Sequence, residues 1–320
     1  MKTAEIPDRK YHPDSSQALD EAMFDPVHVN EEDQEKISSP PLTAFQDSWL
    51  RLKKNKGALI SLFALIAILL LAVFGPYMNE YTYEQTNYDA AYQGPSSEHW
   101  LGTDKFGRDQ WTRIWQGTRI SLYIAFLAAF LDLLIGVTYG MISALFGGKV
   151  DNVMQRIIEI LIGIPNLIIV ILLIMLLKPG IFTITVAMVI TGWVNMARLV
   201  RAQIFKLKGQ EFILSSLTLG ASKFRLITRH LLPNTLGLII ITMMFTIPSA
   251  IFTEAFLSFI GLGLQEPHAS LGVLINDGYQ AMKNQPYLLI YPAIVIIAIM
   301  VSFNMLADGL RDAIDPRMRK

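Results

Sequence analysis

The chain has 320 residues; 52% are hydrophobic and 17% charged, against roughly 25% charged in soluble proteins. It contains no cysteine, which excludes disulfides, thiolate nucleophiles and iron–sulfur ligands, and its formal net charge of zero gives no ground for a nucleic-acid partner. Long uncharged runs alternate with short charged stretches, a pattern that a soluble core of this size does not need and a bilayer demands.

Residues 1–44 are polar, carry scattered prolines and lack an early apolar core. They read as a cytoplasmic tail without stable structure, and not as a signal peptide. Residues 45–57 read as an interfacial segment. Phe45, Trp49 and Leu52 share one helical face, and Trp49 lies beside Arg51, Lys53, Lys54 and Lys56. A bilayer core takes about 20 helical residues to cross. The first span, 58–78, is built on the uncharged run Ala58–Phe74, which ends at Gly75-Pro76. An outer loop over 79–118 follows, with turns at His99–Asp104 and Gly107-Arg108-Asp109. Trp111 and Trp115, one helical turn apart, fit either an aromatic belt at the outer interface or packing against a docked protein.

Residues 119–308 hold five further spans, within Ile120–Gly148, Ile160–Leu177, Ile181–Ala197, Leu231–Thr253 and Tyr287–Ala307. Pro165 and Pro248 are expected to kink the third and fifth spans. Asp132 interrupts the second span. A charge at membrane depth faces protein or water, so Asp132 either lines a pathway or bonds to a neighbouring helix. Glu254, near the outer end of the fifth span, is a candidate outer gate. Glycines in Phe259-Ile260-Gly261-Leu262-Gly263-Leu264 point to close backbone approach or a re-entrant turn. Ser270–Met282 reads as a short helix across the outer surface, and 309–320 as a cytoplasmic tail. The fold class is an all-α integral membrane protein of six transmembrane helices.

Lysine and arginine set the orientation. With the N-terminus inside, seventeen basic residues fall on the inner side and six outside, and both termini are cytoplasmic. The exception is the long outer loop and its edge, with Lys105, Arg108, Arg113 and Arg119.

The inner stretch from Arg198 to Leu231 carries seven basic residues and one acid, Glu211. Glu211–Leu219 reads as a helix with Phe212 and Leu219 available for packing. Gly220 breaks it, and Ala221–Leu232 reads as a second helix that ends at Pro233-Asn234, where the fifth span begins. This helix–glycine–helix hairpin either packs on the inner ends of the spans or fits a cytoplasmic partner.

Here the sequence resembles the permease subunits of binding-protein-dependent ABC importers. Their cytoplasmic coupling segment is matched over 209–233: Leu214-Ser215-Ser216 stand in the place of Glu-Ala-Ala, Gly220 takes the glycine, Ala221-Ser222 follow, and Leu232-Pro233-Asn234 close it. The opening glutamate and both alanines are replaced. The outer-segment motif, with Gly102, Thr103, Asp104, Gly107, Arg108 and Asp109, looks like the dipeptide, oligopeptide and nickel branch. Phe45–Lys56 resembles the N-terminal signature of the OppC or DppC type. Phe146-Gly147-Gly148 with Asp151 and Arg156, the Arg198-Arg201-Gln203 cluster, Phe259-Gly261-Leu262-Gly263 and Asp315-Pro316-Arg317 also match. The resemblance covers about residues 45–320 and is less specific for substrate than for family.

The resemblance implies a type I ABC importer permease fold in a prokaryotic cell membrane, forming half of a peptide pathway. It implies as partners a related OppB/DppB-type permease, two cytoplasmic ATPase subunits that bind ATP-Mg, an external solute-binding protein and membrane lipid. Coupling would run through Leu214, Ser215, Ser216, Leu217, Gly220, Ala221 and Phe224, and Asp132 would either line the pathway near a peptide's amino group, pair with another subunit or bond to a neighbouring helix. The resemblance implies no catalysis and no cofactor in this chain, and the absence of a Gly-rich phosphate loop ending in Gly-Lys-Ser/Thr leaves ATP binding to the partner subunits. None of its five histidines lies near another in sequence, which gives no metal-ligand pair. The alternatives are the same type of subunit for dipeptides, nickel or opines, and a secondary transporter, which would need internal repeats and broken helices around an ion site.

Overall fold

The computed structural model describes residues 44–314. The polar tail before Ala44, and Asp315-Pro316-Arg317 with Arg319 and Lys320, lie outside the described residues. The helices are α1 (Ala44–Lys54), α2 (Lys56–Phe74), α3 (Gln110–Phe146), α4 (Gly148–Gly163), α5 (Asn166–Leu177) and α6 (Ile181–Lys208). They continue as α7 (Glu211–Thr218), α8 (Lys223–Leu226), α9 (Leu232–Phe259), α10 (Leu271–Ala281) and α11 (Tyr287–Ile314). The fold is all-α; among the described residues the one β pairing is the bridge Thr103–Asp109.

Five helices are long and apolar enough to cross a membrane: α2, α3, α6, α9 run together with α8, and α11. The pair α4–α5, bent by 79° at its break, makes a sixth when counted as one span. Pro165 explains the break. It has no N–H to continue the ladder and forces the preceding residue out of helical space; Ile164 is extended, with φ −101° and ψ 125°.

The second span starts earlier than its apolar run at Ile120. Asp109 caps α3, its carboxylate accepting from the Thr112 N–H at 2.9 Å, so the loop ends at Asp109 and not near 118. At 1.5 Å per residue, the 37 residues of α3 reach about 55 Å. The helix therefore extends beyond the hydrocarbon core and defines two ends of the molecule.

Helices α3 and α6 cross closely because Gly136 and Gly140 remove side chains from the contact. A Cβ would stand 2.7 Å from the Trp193 carbonyl oxygen at the first, and 2.4 Å from that of Ala197 at the second. The largest buried apolar core draws on α2, α3, α5, α6, α9, α10 and α11, with Ile124, Ile174, Ile184, Ile247, Ile251 and Ile299, and a second one, with Val137, Met196 and Val200, lies at the crossing. One end of the bundle carries the 78–109 segment, the α9–α10 turn and α10. The other carries α7, α8, α1 and the last turns of α11, where Leu52 packs on Ala58, Leu310 and Ala313.

Helix α10 forms where Ser270–Met282 predicts it, capped by Ser270. It packs through Leu271, Gly272, Val273, Leu274 and Gly278, which are buried, and leaves Tyr279 and Gln280 exposed. Gly261, at φ +83°, closes α9 with the paired bonds Gly261 N–H to Ser258 and Leu262 N–H to Leu257. At Gly263 a Cβ would lie 2.0 Å from the Ser258 hydroxyl, so this glycine serves close approach.

Candidate functional site

The loop end is organised by charge. Arg108 Nε donates to Asp104 at 2.6 Å, and the buried Arg113 lies 3.4 Å from the same oxygen. Lys105 bridges Asp277 of α10 at 3.1 Å and Glu266 at 3.3 Å, and Arg108 reaches Glu266 at 3.4 Å. Burial alone lowers the Lys105 pKa, but Asp277 and Glu266 outweigh it and hold the ammonium above its ordinary value. His99 meets Asp109 at 3.0 Å, and Thr103 donates to the Ala90 carbonyl. Gly102 and Gly107 sit at φ +79° and +69°. This motif therefore folds the segment and docks it onto α10. Arg119 is also engaged: it donates to the carbonyls of Ala72 and Val73 at the end of α2, at 2.9 and 2.7 Å. Trp111 donates to the Gly75 carbonyl, and Trp115 is buried against that glycine. Trp115 is thus internal packing, while Trp111 stays half-buried beside it.

Between α3, α6 and α9 lies a cavity of about 320 Å³. Asp132 of α3 lines it together with Gly192, Asn195 and the α9 residues Thr242, Thr246, Ser249 and Thr253. Asp132 bonds to no neighbouring helix; its Oδ1 is buried and unpartnered. Glu254 stands apart. It is wholly buried, and accepts from Ser121 at 2.9 Å and Ser258 at 2.8 Å, while Ser121 accepts from the Leu271 N–H. It ties α3, α9 and α10 together at the loop end and does not line the cavity.

At the opposite end, α7 leaves α6 through Gly209 and stops in a left-handed turn. Gly220 has φ +81°, with Ala221 N–H bonded to Ser216 and Gly220 N–H to Leu217, the paired closure that glycine permits. Helix α7 packs through Ile213, which is buried with Val137, Ala144, Met196, Val200, Ile204 and Leu226. Phe212 and Leu219, read from the sequence as available for packing, are exposed. Leu214, Leu217 and Phe224 are exposed too, Leu219 at 88% and Phe224 at 74%. Ser215, Gly220 and the half-buried Ser216 and Ala221 complete this knob.

The second helix of the expected hairpin is not separate. α8, capped by Ser222, runs through a π turn, Ile227–Leu231, straight into α9. Pro233 supplies the reason: its ring crowds the carbonyl one turn back and it lacks an N–H. The wider turn, with Leu232 N–H bonded to Ile227, admits it without ending the helix. Nearby, Arg201 of α6 holds Asp151 of α4 through two bonds of 2.6 Å, and Ser143 of α3 donates to the same carboxylate. The knob thus stands on a braced three-helix base.

Residues 136–320 match the family described as binding-protein-dependent transport system inner membrane component, and residues 43–95 match the N-terminal TM domain of oligopeptide transport permease C. The chain belongs to this permease family. It is 48% identical to the oligopeptide transport system permease protein OppC of Bacillus subtilis (strain 168), covering 95% of this chain and 100% of that protein. It is 47% identical to the dipeptide permease DppC of the same organism, over 89% and 90% of the two chains. With OppC of Escherichia coli (strain K12) the identity is 39%, over 89% and 95%. Among solved structures, a chain of the MetNI methionine ABC transporter in an inward-facing conformation shares the fold. Its TM-score is 0.52 at 18% identity, over 62% of this chain and 95% of that one. The permease is a multi-pass membrane subunit of the OppC/DppC type. Membership removes the secondary-transporter alternative.

Proposed function

We propose that this permease forms half of the pathway of an ATP-driven peptide importer in a prokaryotic cell membrane, with the α7–Gly220–α8 knob as its coupling element. Relatives named for oligopeptides and dipeptides support the substrate class. A second permease of the OppB/DppB type completes the cavity, two ATPase subunits that bind ATP-Mg receive the knob, and a solute-binding protein delivers peptide at the loop end. Both termini face the cytoplasm with the knob, and Glu254 locks the outer end of the bundle.

One observation carries this reading: a short helix anchored by Ile213 presents Leu214, Leu217, Leu219 and Phe224 to solvent at the end of a braced bundle. Each large apolar side chain contributes about 1.5–3 kcal/mol once fully buried in a partner's groove. Uphill transport needs a two-state change driven by another subunit. Helix α8 runs unbroken into α9, so movement of the knob moves a wall of the cavity.

Gly220→Trp tests the assignment. No atom lies within 4 Å of the position a Cβ would take, so the indole meets no packed neighbour, while at φ +81° the side chain also strains the turn that closes α7; both effects fall on the knob. The variant is expected to insert and assemble, while uptake by the reconstituted complex falls at least about tenfold. Peptide uptake at the wild-type rate would disprove the coupling role.

A further inference from the structure

We propose that Asp132 is the docking point in the cavity for the free amino terminus of the transported peptide. This rests on the peptide-import reading and adds to it a place and a polarity. Asp132 is only 6% exposed, and it makes no hydrogen bond or ion pair with any described residue. A carboxylate withdrawn from water without a partner is costly, and such groups in membrane proteins mark pathways or partners yet to arrive. Space is kept for it. A Cβ on Gly192 would lie 2.3 and 2.7 Å from its two oxygens, so a side chain there would displace the carboxylate.

The facing wall has matching chemistry. Thr242, Thr246, Ser249 and Thr253 recur along one face of α9. Each hydroxyl donates to the carbonyl four residues back, those of Leu238, Thr242, Phe245 and Ser249, at 2.8, 3.0, 3.2 and 2.9 Å. Their protons are spent, and what they offer the cavity is lone pairs. No lysine, arginine or histidine lines the cavity among the described residues. Asn166, whose Oδ1 accepts from Thr191, and Asn195 add side-chain amides to this lining, but its one ionisable group is the acid, so it receives an ammonium in preference to a carboxylate. The α-ammonium is the cation that unmodified peptides share whatever their side chains, so this site holds one end of the peptide without reading its sequence.

Uptake of trialanine and N-acetyl-trialanine by the complete transporter in proteoliposomes tests this, for wild type, Asp132→Asn and Asp132→Glu. Asp132→Asn is expected to lower trialanine uptake about tenfold, as for loss of one charge-assisted bond. It should leave N-acetyl-trialanine uptake as in wild type, and Asp132→Glu should recover part of the trialanine loss. Wild type accumulating neither peptide would overturn the import reading and this proposal with it. Wild-type uptake of trialanine that Asp132→Asn matches would overturn the Asp132 assignment alone. Should Asp132→Asn fail to assemble, the wild-type complex decides. Modification of Asp132 by a hydrophobic carbodiimide, read by mass spectrometry, should be slowed by trialanine and not by N-acetyl-trialanine. Equal slowing by both, or by neither, overturns the proposal.

Discussion

Gly107 shows how a single position can fix a whole segment. At φ +69° a Cβ would stand 1.7 Å from the Asn87 carbonyl oxygen, so Gly107→Ala combines left-handed strain with a backbone clash and should cost roughly 2–5 kcal/mol. Gly94→Ala in the same segment meets nothing within 4 Å and should stay within about 0.5 kcal/mol. Thermal unfolding of the two purified variants in detergent checks the contrast. The turns at Gly102 and Gly107 were legible in the sequence because glycine with aspartate two residues on is a local signal. The partners of Lys105 and Arg108 were not. Glu266 and Asp277 lie far along the chain, and only the packing of α10 brings them near. The same distance hid the bidentate Asp151–Arg201 pair, whose residues were matched by resemblance without their contact.

Among the elements, the six apolar runs were readable because bilayer thickness imposes a length on them. Their ends were less so. The start of α3 depends on the Asp109 cap, and α8 continues into α9 because a π turn absorbs Pro233, which as a pattern reads as a stop. Helix α7 divides its apolar residues between two tasks that periodicity alone does not separate. Ile213 is fully buried while Leu217 is largely exposed. Ile213→Ala should loosen α7 by about 2–5 kcal/mol, seen as faster proteolysis across 209–222. Leu217→Ala should change that protection by less than about 1 kcal/mol, yet still reduce ATP-driven uptake. Equal proteolysis of the two variants would mean that Ile213 does not anchor the knob.

At the scale of the molecule, the basic residues at the loop end contradict the orientation only if they are counted as free charges. Lys105, Arg108 and Arg113 are paired with Asp104, Glu266 and Asp277, and Arg119 caps α2. Arg225 and Arg229 beside the knob are exposed, and cations in a long folded outer segment weigh less in orientation than those in short loops. The excess of basic residues on one side, seventeen against six, is the ground for expecting the knob inside and the 78–109 segment outside. Because the chain has no cysteine, one introduced thiol reports its side without interference. Tyr88→Cys, at a position 70% exposed, should react with a membrane-impermeant maleimide in intact cells or spheroplasts. Leu219→Cys, on the knob, should react only after the membrane is opened. The reverse pattern would put the exposed leucines and Phe224 outside the cell, beyond reach of any ATP-hydrolysing subunit, and would leave the bundle without a source of energy for uphill transport.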